Sequence, residues 1–327
     1  MSVRDVIIIG AGPSGLATAI AAKHLGLDYL VLEKGSLVDA IARFPINMVF
    51  FTTPELLEIG GIPLTTPFEK PTRPEALRYY RKVVDLFQLQ VSLYEEALSV
   101  EPPAGPAEPF VITTRTSRGA TRVREARHVV LSMGYYDRPV MLNIPGEDLP
   151  HVSHFYQEAH PYYRQRVVIV GGKNSAAEAA LEIHRAGGHV TIVHRGAAFG
   201  ESIKYWVKPD IENRVKEESI AAHFNTRIVE IRPSEVVLDS GQTLPAEAVL
   251  LLTGYRADPD FMRHAGVVIN DETLEPKYRA ETYETNVPNL FVAGGQLAGK
   301  KTGTVFIENG RFHGEQIAKV IAARVKP

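Results

Sequence analysis

The chain contains one segment twice. Residues 6–34, VIIIGAGPSGLATAIAAKHLGLDYLVLEK, lie over residues 167–195, VVIVGGKNSAAEAALEIHRAGGHVTIVHR, without a gap. One constant offset carries Gly10 onto Gly171, Gly26 onto Gly187 and Glu33 onto His194. Each copy opens on branched apolar residues that read as a buried strand and passes a glycine-rich turn. It then runs as an amphipathic helix to a glycine and closes on a second buried strand. That pattern is a β-α-β unit, which requires parallel strands and a helix packed on the sheet. Its recurrence predicts an α/β chain with two Rossmann-like, three-layer ββα domains.

The first copy carries all the parts of a dinucleotide site. Gly10 permits the tight turn out of the strand, Gly12 lets the backbone approach a pyrophosphate, and Gly15 lets the helix lie close to the sheet. Pro13 and Ser14 complete the loop at the helix N-terminus, whose free N–H groups and positive dipole end suit phosphates. Glu33 ends the second strand, 23 residues beyond Gly10, where a carboxylate can accept both ribose hydroxyls; Lys34 follows it. We expect FAD here.

The second copy departs at two points. Lys173 replaces the middle glycine in GGKNSA, and His194-Arg195 replaces the acid. A carboxylate would repel a ribose 2′-phosphate, whereas His-Arg would attract one, so this site predicts NADPH rather than NADH. Gly172, Asn174 and Ser175 line the turn. Lys173 either clasps the pyrophosphate or points to solvent. Lys204 and Ser202, in the loop after the strand, either complete the phosphate pocket or belong to a solvated loop.

Composition narrows the chemistry further. A chain of 327 residues with 45% hydrophobic and 23% charged residues has the balance of a globular protein of about two domains. The net charge of −2 offers no basic excess for nucleic acid or an anionic membrane. No apolar run reaches the ~20 residues of a membrane span. The first strand starts at Val6, which leaves no room for a signal peptide, so a cytoplasmic enzyme is expected. Most restrictive is the absence of cysteine. The chain has no disulfide, no thiolate metal site and no cysteine nucleophile, so redox chemistry must run through a bound cofactor.

Between and after the repeats, four further readings follow. Residues 40–75 are apolar but broken by Pro and Gly, which suits a buried loop against a flavin; Asn47 and Thr52 are its candidate flavin contacts, and Asn47 the candidate catalytic group. An amphipathic helix starts near Pro74 with Leu77, Tyr80, Val84 and Phe87 on one face. LSVE, FVITTRT and TRVREARHVVL read as a three-stranded meander around the loop EPPAGPAEP. VVLSMGYYDRP (129–139) and VLLLTGYRADP (249–259) each run as an apolar strand into Gly-Tyr, at Gly134 and Gly254, and predict the two crossings between domains. The FAD domain is then discontinuous, residues 1–141 and 254–327, with the NADPH domain inserted as 142–253. TNVPNLFVAGG delivers a turn at Gly294-Gly295. A helix from near Thr304 or Val305, through Phe306 and Ile307, would then point its N-terminus at the flavin pyrimidine edge.

Several longer strings carry a family resemblance: PTRPEALRYYR (71–81), GYYDRPVMLNIPGEDLPHVSHFYQEAHPYYR (134–164), GGKNSA (171–176), SIKYW (202–206) and FIENGRFHG (306–314). Over essentially its full length the chain resembles thioredoxin-reductase-like flavoproteins, and among them the bacillithiol disulfide reductase family. The resemblance implies an oligomeric (dimeric or tetrameric) FAD enzyme that uses NADPH to reduce a low-molecular-weight disulfide, and it makes Lys173 an expected family residue. It has three departures. The CxxC of thioredoxin reductases is missing, which excludes a dithiol relay to thioredoxin. Ser14 stands where the members best tied to bacillithiol disulfide carry a cysteine, and a hydroxyl cannot attack a disulfide as a thiolate does. Gly295 replaces the acid usual after the C-terminal turn.

The reaction implied is hydride transfer from nicotinamide C4 to flavin N5, which needs no side-chain acid or base. The electron acceptor stays open between a small molecule and a small protein. A ferredoxin- or flavodoxin-NADP reductase also lacks CxxC. A flavin monooxygenase is suggested by HVSHFY ahead of the second glycine turn, although Pro150 stands where that motif expects glycine. A nucleotide-sensing binding module would share both sites and would be reduced very slowly.

Overall fold

A computed structural model describes residues 3–105 and 108–325. The chain divides into two compact units: Met1–Arg43, Met48–Arg138 and Tyr255–Pro327 form the first, and Phe44–Asn47 with Pro139–Gly254 the second.

The first unit is built on five parallel strands in the order Val91–Ser92, Tyr29–Leu32, Arg4–Ile9, Thr121–Leu131, Leu290–Val292. Thr121–Leu131 changes partner along its length. Its first half pairs antiparallel with Phe110–Thr116, the middle strand of the meander, and its last three residues pair with Leu290–Val292. The meander is completed by Glu95–Glu101; within its Pro-rich loop, Pro106 and Ala107 lie outside the described residues. Side chains alternate across the sheet. Ile7, Ile9, Val129, Leu131, Leu290 and Val292 share a core with Val100, Phe110 and Ile112 of the meander. The intervening Val6, Ile8, Val130 and Phe291 are fully buried on the opposite face. Helices Pro13–His24 and His313–Val325 cover that face and meet where Gly314 leaves no space: a Cβ there would lie 2.4 Å from Thr18 Oγ1.

The second unit repeats the plan. Its parallel sheet runs Ala221–His223, His189–Val193, Arg166–Val170, Ala248–Leu251, Val152–Ser153. Val167, Ile169, Ala248 and Leu250 pack with helix Asn174–Arg185. Their neighbours Val168, Val249 and Leu251 pack with a separate antiparallel sheet of Ile228–Arg232, Glu235–Leu238 and Thr243–Pro245. Both units are therefore three-layer, Rossmann-like α/β folds.

Three local expectations change. The segment 40–75 is not one irregular buried loop. It contains the short helices Asp39–Ala42 and Pro54–Leu57, and its Ile46 and Phe51 are exposed, Phe51 by 57%. Helix Arg73–Phe87 starts on a Thr72–Glu75 capping box and turns Ala76, Tyr79, Tyr80 and Val83 inward. Leu77, Val84 and Phe87 flank that face, because the Tyr79 and Tyr80 hydroxyls find backbone partners at Ile59, Ile62 and Leu57. Finally, no continuous helix starts near Thr304. A single turn, Ile307–Gly310, is followed by a break and then His313–Val325. Asn309 closes the turn on itself, accepting from Phe306 N at 2.8 Å and donating to Thr304 O at 2.9 Å. A four-residue turn carries too few aligned peptides for the dipole argument, so the expected helix end at the flavin is withdrawn.

Candidate functional site

The first glycine turn assigns each glycine a different physical task. Gly10 adopts φ +106°, a left-handed conformation, and a Cβ there would meet Ser132 O at 2.5 Å. A Cβ on Gly15 would lie 1.9 Å from Gly10 O, so the helix can approach the strand only without a side chain. At Gly12 a Cβ would meet nothing within 4 Å, which leaves open space over the backbone. Pro13 starts the helix, and no side chain caps its N-terminus. Ser132 ties the turn down, its hydroxyl donating to Ile9 O and Gly10 O at 2.9 and 3.0 Å. The sequence reading missed it, although a small residue at the end of the strand VVLS was the available signal.

Glu33 is buried at the end of its strand and accepts from Ala11 N at 2.8 Å and Gly35 N at 3.0 Å. Burial raises its carboxyl, against the two amide bonds that favour the anion. A carboxylate has about four acceptor sites, so two remain for hydroxyls. Lys34 is lowered by burial and by Arg43, and it pairs with Asp137 at 2.5 Å, an aspartate that also pairs with Arg43. Neither Arg43 nor Asp137 carries a motif that marks them in sequence.

The C-terminal turn meets the same loop. Gly294 (φ +70°) lies against Ser14: a Cβ there would sit 2.5 Å from Ser14 Oγ, and one on Gly310 would sit 3.0 Å from it. Ser14 is thus wedged between two glycine backbones. Gly294 N donates to Nδ1 of His313, which burial lowers to about 4, so this histidine is a neutral acceptor. A Cβ on Gly295 would strike the Tyr135 ring at 2.7 Å, which accounts for glycine where an acid is usual. Gly134 (φ +69°) opens to free space. Thr52 is buried, and Phe306 and Ile307 stand at the start of the single helical turn, Phe306 exposed. Asn47 is exposed and groups with the second unit. A glycine backbone open at Gly12, an uncapped helix and a buried acceptor carboxylate fit the diphosphate and ribose of FAD.

In the second unit, Gly171 (φ +151°) makes the turn beside Leu252 O. Lys173 and Ser175 are exposed at the start of helix Asn174–Arg185, again without a side-chain cap. His194 does not reach outward. Its ring lies over Gly172, where a Cβ would be 2.5 Å away, and beside Gly196, and burial and Arg195 lower it. It is neutral at pH 7, so the charge expected from the His-Arg pair is carried by the exposed Arg195. Lys204 is corrected more strongly. It is 5% exposed and its Nζ pairs with Glu178 Oε1 at 2.5 Å, so its charge is held inside the unit rather than offered to a phosphate. Asn174 also turns away from its own helix, toward the backbone of Ser202 and Lys204. Gly254 (φ +98°) ends the returning segment in open space. The exposed Arg195 and Lys173 beside an uncapped glycine turn fit a phosphorylated nucleotide.

The chain matches the pyridine nucleotide-disulphide oxidoreductase family over residues 7–294. Bacilliredoxin reductase of Bacillus subtilis is 41% identical over 325 residues, covering 98% of each chain. Two solved structures described as bacillithiol disulfide reductase, from Bacillus cereus and Staphylococcus aureus, are each 40% identical. They superpose with TM-scores of 0.95 and 0.93 over 99% of this chain and 100% and 99% of theirs.

Proposed function

We propose a function from one premise: the chain belongs to the pyridine nucleotide-disulphide oxidoreductase family. It is an FAD- and NADPH-dependent oxidoreductase, and its acceptor is the disulfide of a low-molecular-weight thiol, of which bacillithiol disulfide is the leading candidate. The observation that carries this reading is full-length likeness, at 40% identity, to two solved structures named as reductases of that disulfide.

FAD held at the first site would supply two-electron chemistry between the nicotinamide and the disulfide. The residues of the chain bind and orient. Gly10, Gly12, Pro13, Ser14 and Gly15 offer backbone to the FAD diphosphate, and Glu33 accepts from the ribose, with Lys34 beside it. Gly134, Gly294, Gly295, Thr52, Phe306 and Ile307 border the flavin end. Gly172, Lys173, Ser175, Arg195 and Gly254 form the nucleotide site of the second unit, in which Arg195 attracts the 2′-phosphate, while Asn174 holds the following loop and His194 packs beneath the turn. We assign Asn47 no chemical step. The net reaction balances as NADPH, one proton and one disulfide giving NADP+ and two thiols. Without cysteine no mixed disulfide with the protein can form, so reduction proceeds without a protein thiol relay.

The test has two halves, on the flavin-loaded protein without oxygen. NADPH should bleach the flavin at least about tenfold faster than NADH; equal rates would sink the assignment of the second site. The reduced protein should then be reoxidised by bacillithiol disulfide faster than by ferredoxin, flavodoxin or oxygen. No acceleration by the disulfide would reject that substrate. We further propose a cytoplasmic homo-oligomer, dimer or tetramer, to be checked by light scattering; among the described residues no helix is long and apolar enough to cross a membrane.

A further inference from the structure

The segment that follows the second nucleotide strand is fastened to the glycine turn and its helix. Gly200 N donates to Gly172 O at 2.8 Å, on the glycine turn itself. The Asn174 carboxamide engages the segment with both ends: Nδ2 donates to Ser202 O and Oδ1 accepts from Lys204 N, each at 2.8 Å. One helical turn further along the same face, Glu178 receives the Lys204 ammonium. Phe199, Ile203 and Val207 are buried in the core of the unit between these polar ties. Asn174 as a helix residue gains nothing for its own helix from this arrangement, since neither it nor Lys173 caps the N-terminus through a side chain. A partly buried carboxylate with a buried ammonium is costly to assemble and specific in geometry.

We propose that Asn174, Glu178 and Lys204 form a latch that fixes the loop beginning at Arg195, and that Glu178 is thereby a positioning residue for NADPH selectivity, touching no nucleotide itself. The inference rests on the NADPH reading of the second unit. Its physical content is preorganisation. Arg195 is exposed and long, and an arginine discriminates a phosphate well only when the backbone that carries it does not move. The competing assignment makes Lys204 a direct phosphate ligand, for which Glu178 would be an inhibitor that must first be displaced.

The two assignments predict opposite signs for Glu178→Gln, a change that keeps shape and removes the charge. The experiment is titration of the flavin-loaded, oxidised enzyme with NADP+ and with NAD+ by calorimetry. The latch predicts that Glu178→Gln binds NADP+ about tenfold more weakly while NAD+ changes less than about twofold. Lys204→Met and Asn174→Ala should act in the same direction, and Lys204→Arg, which retains the ion pair, should restore most of the difference. Unchanged or tighter NADP+ binding by Glu178→Gln overturns the latch, because it frees a ligand lysine instead. An equal loss for both nucleotides also overturns it, since a merely structural role would not read the phosphate. A wild-type enzyme with no preference for NADP+ is a different failure. It removes the reading of the second unit on which the latch depends.

Discussion

The two copies of the β-α-β unit follow the same path through different chemistry. In the first, Gly10 and Gly15 are both required, because the Gly10 carbonyl oxygen lies 1.9 Å from where a Gly15 side chain would begin. In the second, Ala176 occupies the position of Gly15, and the residues without room for a side chain are Gly171, against Leu252 O and the Ala176 Cβ, and Gly172, against the His194 ring. The acid differs in kind as well. Glu33 is turned inward onto two backbone amides, Ala11 of the glycine turn and Gly35 of its own loop, whereas His194 is turned inward as a neutral ring and leaves Arg195 outside. The first loop is thus a rigid seat for a ligand that stays. The second is a turn with room for Ala176 where the first demands Gly15, and its selectivity lies in one exposed arginine and the loop that carries it.

The sharpest way to break this comparison is to exchange the small residues. Gly15→Ala should cost about 3 kcal/mol or more through overpacking, and folded, yellow protein should largely disappear. A variant that keeps its flavin and its melting temperature would refute the account of the first loop. Acid should next separate the two units. Burial alone would raise Glu95 in the meander of the first unit, but hydrogen bonds from Arg124, Ser92 and Thr114 outweigh it and hold it at about 2. That stability is present above the ordinary carboxyl value of 4.5 and is lost as pH falls through about 2. Glu95→Gln should therefore cost about 2 kcal/mol at pH 7, with the gap to wild type closing toward pH 2 in thermal melts. Glu33 runs the opposite way: its raised carboxyl favours the fold below 4.5 and less so as pH rises through its folded value. The separate antiparallel sheet of the second unit has no counterpart to Glu95, only partly exposed pairs of Arg232 with Glu230 and Glu235, so its melting should depend less on acid.

Smaller effects sharpen the remaining contrast. Arg195→Ala should weaken NADP+ about tenfold and leave NAD+ and flavin content nearly unchanged. A loss of flavin instead would mean that the two sites are not independent. The smallest effect is expected at Ala176→Gly, about 0.5–1 kcal/mol of helix propensity, read as a shift in unfolding midpoint. A large effect there would show that the second turn is as tightly built as the first.

What could be read from the residues follows a physical divide. The repeat, the three layers and the meander were legible because alternation, turn chemistry and a glycine spacing are properties of consecutive residues. The tasks of Gly10, Gly12 and Gly15 were legible for the same reason. The burial and pairing of Lys204 were not legible because its partner, Glu178, is 26 positions away and reaches it only through the tertiary path of the loop. The single turn at Ile307–Gly310 was misread as the start of a long helix because the break depends on the Asn309 side chain and on Gly310 lying against Gly294, 3.2 Å from where its Cβ would be. His194 carries the right residue type for a phosphate, but burial and the neighbouring Arg195 lower it, and its ring packs on Gly172 instead of facing outward.

The first sheet is completed by a segment that is synthesised after the whole main part of the second unit. Its fifth strand, Leu290–Val292, pairs with the last three residues of Thr121–Leu131, and everything from Pro139 to Gly254 belongs to the other unit. Vectorial synthesis therefore delivers the second unit's sheet, strands and covering helix together, while the nascent first sheet waits with Val129–Leu131 unpaired on one edge. The unit that leaves the ribosome first is completed last, and through that interval its apolar edge is the part of the nascent protein most exposed to aggregation.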